Sequence, residues 1–165
     1  MRDKIEHLYR AAARACDLFQ TPFLLAVRLY WGWQMAQTGW GKLGDLNKVT
    51  GFFMQLGIPA PGLNAILISG LEFAGGILLA AGLGSRLIAL LLAGDMAVAF
   101  LAADREALFS VFSDPDKLYA AAPYTFLFAS LIILFFGPGA LALDSIVFKR
   151  FTQSVRKPAE RTASV

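Results

Sequence analysis

Apolar positions along this chain gather into four long runs separated by short polar stretches. The runs 22–38, 63–83, 87–103 and 119–136 contain almost no charge. The second would measure about 31 Å at 1.5 Å per residue, against a hydrocarbon core of about 30 Å. Four spans of this kind predict an all-α, polytopic membrane protein built as a bundle of four transmembrane helices. Ahead of them, Ile5, Leu8, Tyr9, Ala12, Ala15, Cys16 and Phe19 recur every three or four residues, with Arg2, Glu6, Arg10 and Arg14 on other faces. That pattern predicts an amphipathic helix over 1–21 lying in the membrane interface. Charges throughout the segment argue against a cleaved secretion signal. Between the first two spans, Leu46, Val49, Phe52, Phe53 and Leu56 fall at helical spacing before Gly57, Pro59, Pro61 and Gly62 stop the helix. The loop 104–118 carries Leu108, Phe109, Val111 and Phe112 ahead of a Ser113-Asp114-Pro115 turn. Both outer loops are therefore expected to hold short amphipathic helices. The chain divides into 1–21, a membrane domain over 22–145, and a basic, partly disordered tail over 146–165.

Composition agrees with the pattern. The chain is 57% apolar and 16% charged, where soluble domains run at about 45–50% and about 25%. Basic residues then give the pattern a direction. Arg2, Lys4, Arg10, Arg14, Arg86, Lys149, Arg150, Arg156, Lys157 and Arg161 fall on one side of a four-span topology, and only Lys42, Lys48, Arg105 and Lys117 on the other. By the positive-inside rule both termini of this multi-pass chain are cytoplasmic. The net charge of +3 is thus a topology signal. Basic residues spread over the two chain ends give no nucleic-acid platform.

Candidate chemistry is sparse. A single cysteine, Cys16, excludes an internal dithiol relay, and a single histidine, His7, excludes paired haem ligands or a His-rich metal site. No metal and no intrinsic cofactor is expected. Three ionisable residues lie inside the runs: Arg28, Glu72 and Asp95. A charge at the bilayer centre costs about 2.5 to 3.5 kcal/mol on insertion scales, so such residues face protein and pair. Counting from one membrane surface places them at depths of about 9, 16 and 12 Å, close enough for one cluster on three helices. Ser69, Glu72, Gly75 and Gly76 share a stripe of the second span, and Gly70 with Ala74 adds a small-residue pair for close helix approach. The cluster reads either as a site handling protons or a quinone headgroup, with Glu72 and Asp95 carrying the proton, or as a buried ion pair fixing helix register. Gln34, with Gln37 and Thr38, is a candidate cavity lining. Lys42 and Arg86, at opposite surfaces, are either snorkelling anchors or ligand-binding groups.

These residues resemble the DoxX/DoxD family of small four-helix membrane proteins. The similarity rests on Arg28, on Gly39-Trp40-Gly41-Lys42-Leu43, and on Phe52-Phe53-Met54-Gln55-Leu56-Gly57-Ile58-Pro59-Ala60-Pro61. It continues in Glu72-Phe73-Ala74-Gly75-Gly76, Ser85-Arg86 and Gly137-Pro138-Gly139-Ala140-Leu141-Ala142-Leu143-Asp144. The resemblance implies a bacterial or archaeal inner-membrane protein of redox-linked metabolism, with some relatives serving as subunits of a thiosulfate:quinone oxidoreductase, and puts the family's Lys, Glu and Arg positions on Lys42, Glu72 and Arg86. It makes quinone a candidate substrate and a redox subunit or a second copy a candidate partner, alongside the lipid bilayer. The competing expectation is a non-catalytic anchor or assembly subunit. A small-solute transporter is less favoured, because no internal repeat is evident.

Overall fold

The computed structural model describes residues 2–145, and among these every regular element is an α-helix. They are α1 (Arg2–Gly44), α2 (Leu46–Gln55), α3 (Pro61–Ala81), α4 (Ser85–Ala102), α5 (Arg105–Phe109), α6 (Pro115–Ala120) and α7 (Ala122–Phe136). The tail expected over 146–165 lies outside the described residues. Of the four sequence runs, α3 and α4 are helices long and apolar enough to cross a membrane, while α7 is apolar but shorter.

Three expectations change. The first span and the amphipathic segment before it form one helix: α1 runs through Pro22 without a break and on past Thr38 to Gly44. The Gly39-Trp40-Gly41 stretch, whose composition suggests an ending, is helical because Gly39 is a contact residue. A Cβ there would fall on the backbone of Phe73. The expected span 119–136 divides, since Ala121 is extended (φ −67, ψ 127) and Pro123 enters the first turn of α7 without an amide hydrogen to donate. The loop 104–118 holds α5 and the start of α6.

Helices α1 and α3 form the tightest pair, and the pair is antiparallel. A Cβ on Gly32 would lie 2.8 Å from the backbone of Gly76 and Ala80, and one on Gly76 would lie 2.5 Å from the Ala36 nitrogen. These glycines let two backbones meet where any side chain would hold them apart. Helix α4 packs chiefly on α7, and the two pairs are joined by contacts of α3 with α4 and of α1 with α7. Leu24, Val27, Met35, Leu79, Ala89, Leu92, Met96, Ala129 and Ile133 form the core between them. The outward faces are apolar as well: Leu29, Trp33, Ile66, Leu67, Ile77, Leu87, Leu90, Leu91, Phe128 and Phe135 are exposed. An apolar exterior over an interior that holds Arg28, Glu72 and Ser69 suits lipid contact and is the reverse of a soluble bundle.

Candidate functional site

The antiparallel register of α1 on α3 decides which charges meet, and it overturns the expected cluster of Arg28, Glu72 and Asp95. Arg28 lies fourteen residues before Lys42 on one helix, about 21 Å at 1.5 Å per residue. The register sets Arg28 against Gly82, where a Cβ would collide with its guanidinium, and sets Lys42 against Glu72. The depth estimate fails because it counts the first span from Pro22 and so sets Arg28 six residues deep, whereas packing sets Arg28 level with Gly82, the cap that ends α3.

At one end of the bundle, Lys42 Nζ donates to Glu72 Oε1 at 2.5 Å. Lys42 stands in the last turn of α1 with its side chain 37% exposed, whereas the Glu72 side chain is 2% exposed. Asp95 reaches the same place from α4, its carboxyl beside that of Glu72 on the same cavity wall. Neither Glu72 Oε2 nor Asp95 Oδ2 accepts from a donor. Two buried carboxyls side by side favour sharing one proton, since two carboxylates offer only acceptors and repel each other. With one proton so shared, the pair would balance the charge of Lys42.

The triad faces a cavity of about 520 Å³, within the range of small-molecule sites. Its wall is mainly apolar: Met35 from α1, Ile68 from α3, Met96, Val98 and Ala99 from α4, and Pro123 and Phe126 from α7. Helix α2 and the turn after it supply Phe52, Phe53, Leu56 and Ile58. Asp45 caps α2 by accepting from the Lys48 amide at 3.1 Å. Of the polar groups on the wall, Thr38 Oγ1 already donates to the Met35 carbonyl (2.8 Å) and Asn64 Nδ2 to the Pro59 carbonyl (2.7 Å). Lys42 and the carboxyl pair therefore carry the ligand-directed chemistry.

The other end is closed by a clasp. Asp144 accepts from the amides of Gly84 and Ser85, both at 2.8 Å, capping the start of α4 from sixty residues away. Its own amide donates to the Gly82 carbonyl at 2.9 Å, and Gly82 (φ 76) closes α3 in the left-handed conformation that glycine adopts without strain. Arg28, 1% exposed, lies against this turn, with Nη2 donating to the Leu141 carbonyl at 3.4 Å. Burial opposes the charge of Asp144, yet the two amides and the Arg28 charge outweigh it and hold the carboxyl below its ordinary range.

Of the residues singled out from sequence, Lys42, Glu72 and Asp95 converge. Arg28 belongs to the clasp. Arg86 is exposed at that same end, beside Gly137, and Gln34 is half-buried away from the cavity wall. Asp104, Asn64 and the aromatic wall from α2 escape a sequence reading. Asp104 reads as an ordinary helix cap, though the helical spacing of Phe52, Phe53 and Leu56 did mark a face needing a partner. Among the described residues, no three His, Cys, Asp or Glu are grouped to hold a metal ion.

Comparison with known proteins gives one positive result. The DoxX family model matches residues 23–105, half of the chain, from within α1 through the triad to the beginning of α5. No curated protein and no solved structure matches it. The matched region holds Lys42, Glu72 and Asp95 together with the glycine contacts that set their register, and on that match the chain belongs to the DoxX family.

Proposed function

We propose that this DoxX protein is a quinone-interacting subunit of a redox system in the cytoplasmic membrane, with α1 from Pro22 onward, α3, α4 and α7 all crossing the bilayer and both termini in the cytoplasm. The observation that carries the reading is the Lys42–Glu72–Asp95 triad set in the wall of an apolar cavity of about 520 Å³. A quinone headgroup offers carbonyl oxygens, which only accept. The triad offers the ammonium hydrogens of Lys42 not taken by Glu72 and the proton shared by the carboxyls. The apolar wall suits a ring and the first part of a hydrocarbon tail.

Reduction of a quinone to a quinol takes two electrons and two protons. Lys42 orients one carbonyl oxygen and the Glu72–Asp95 pair delivers a proton to it as electrons arrive, while the second proton reaches the other oxygen from water. The electrons come from a partner subunit or a soluble donor. Replacing Glu72 by Gln removes the shared proton while keeping the shape of the side chain. Quinone-dependent turnover in membranes should fall at least a hundredfold with the amount of protein unchanged, and unaltered turnover would exclude the assignment.

One observation favours a second reading, a non-catalytic anchor or assembly subunit. Tyr9, Leu18 and Phe19, on the part of α1 that precedes Pro22, are all more than 70% exposed. They can serve either the membrane interface or a partner. Purification from mild detergent separates the readings, since a chain that is active alone is no obligate subunit.

A further inference from the structure

The cavity wall holds a fourth ionisable group that the triad leaves unused. Asp104 precedes α5 in the N-cap position, where an aspartate ordinarily accepts from an amide two or three residues on. Its side chain makes no such bond and lines the cavity instead, half-buried. Of the neighbouring charges, Lys117 is engaged elsewhere, 2.5 Å from Glu106 and 3.9 Å from Asp114. Among the described residues, the Asp104 side chain makes no hydrogen bond or ion pair.

A second observation points into the same space. Glu72 is 1% exposed and lines the cavity together with Asp95, and neither Glu72 Oε2 nor Asp95 Oδ2 has a donor. Helix α1 seals the other side of Glu72, since Gly39 packs on the Glu72–Phe73 backbone. The cavity that Glu72, Asp95 and Asp104 all line gives a proton leaving the carboxyl pair a route of replacement. Along α4, Asp104 lies nine residues beyond Asp95, about 13 Å at 1.5 Å per residue. That is too far for direct transfer and short enough for a few water molecules. Asp104 also stands where α4 ends, at the end of the bundle that carries α2, α5 and α6.

We propose that Asp104 is the proton-exchange residue of this cavity, taking a proton from water at its mouth and passing it through cavity water to the Glu72–Asp95 pair. In the exchange the Asp104 O–H breaks as a water O–H forms, the excess proton moves along the water, and the pair regains the hydrogen it released. No oxidant or reductant takes part. The proposal rests on the shared proton but not on quinone as the ligand.

The test is infrared spectroscopy of the full-length protein in lipid, without quinone, following the C=O stretch of the protonated carboxyl after a rapid change from H₂O to D₂O. Glu72→Gln and Asp95→Asn assign the band by abolishing it. Asp104→Asn and Asp104→Ser both retain residues suited to the N-cap position, and each should leave the band in place while slowing its shift at least tenfold. Asp104→Glu should restore the rate. A band that exchanges at the wild-type rate in both Asp104 variants overturns the relay while the shared proton stands. Absence of the band in the wild type overturns both. Quinone turnover, measured separately, can fail without touching either result.

Discussion

Lys42 and Glu72 are unequal partners, and their replacements should show it. Removing one member of a buried ion pair costs about 3 to 5 kcal/mol when the other is left charged and dry. Lys42 is partly exposed and the proton of the carboxyl pair can redistribute, so Lys42→Met should cost about 2 kcal/mol. Glu72→Gln leaves the Lys42 ammonium balanced by the Asp95 carboxylate and should cost less. Thermal unfolding in detergent should place K42M below E72Q, and the reverse order would mean that the pair does not carry a charge. Asp144 makes a pH-dependent claim at the opposite end. Its folded carboxyl titrates below the ordinary value, about 3.9 for aspartate. Its contribution is therefore complete above that value and lost as pH falls through the lowered one. Asp144→Asn should cost about 1 kcal/mol at neutral pH, the usual worth of a helix cap, and the variant should lack the part of the wild-type acid lability that begins below about pH 4. The sequence revealed these residues unevenly. Glu72 and Asp95 stand out because a carboxyl inside an apolar run requires a partner. Lys42 lies just beyond the apparent span and looks like an anchor, and only the register of α1 on α3 shows what it meets.

Among the elements, the α1–α3 pair sets that register, and its glycines are where it can be broken. A Cβ on Gly76 would sit 2.5 Å from the Ala36 nitrogen and 2.6 Å from the Gly32 carbonyl oxygen, contacts with backbone that cannot yield without moving a helix. Gly76→Ala should destabilise the fold by about 1 to 3 kcal/mol, the usual cost of overpacking. By shifting α3 it should also weaken quinone-dependent turnover, although residue 76 does not touch the cavity. Gly70→Ala is the control, since a Cβ there meets nothing within 4 Å, and it should leave melting temperature and turnover unchanged. Equal effects from both would show that helix propensity, not contact, governs these positions. The existence of most helices is legible from hydrophobic spacing, including α2, whose apolar face and Gly-Pro ending are plain in the chain. The extent of α1 is not. A glycine pair near the end of an apolar run signals a stop by composition, whereas here Gly39 is helical because Phe73 lies against it, a long-range fact that no local window contains. The Ala121 break before α7 escapes for a related reason: Pro123 is compatible with a helix start, and the apolar run continues on both sides of it.

Seen whole, the molecule is open at one end and fastened at the other. The cavity, the carboxyl pair and Asp104 lie with α2, α5 and α6, while Arg28, Gly82, Asp144 and the start of α4 close the opposite end. If the basic residues orient the bundle as proposed, with ten of them at the clasp end and in the tails, the cavity opens to the outer phase and the protons for quinone reduction are taken from outside the cell. The orientation can be read directly, because Cys16 is the only cysteine of the chain and its replacement by serine gives a background for single new thiols. Lys48, on α2, and Ser113, between α5 and α6, are exposed at the cavity end; Leu83, between α3 and α4, and Ala140, after α7, are exposed at the clasp end. On intact cells a membrane-impermeant maleimide should label Lys48→Cys and Ser113→Cys. It should reach Leu83→Cys and Ala140→Cys only after the membrane is opened. The opposite pattern would turn the cavity towards the cytoplasm and reverse the side from which Asp104 draws its proton. It would leave the triad and the relay geometry untouched, because both are set by helix packing and not by the direction in which the bundle is inserted.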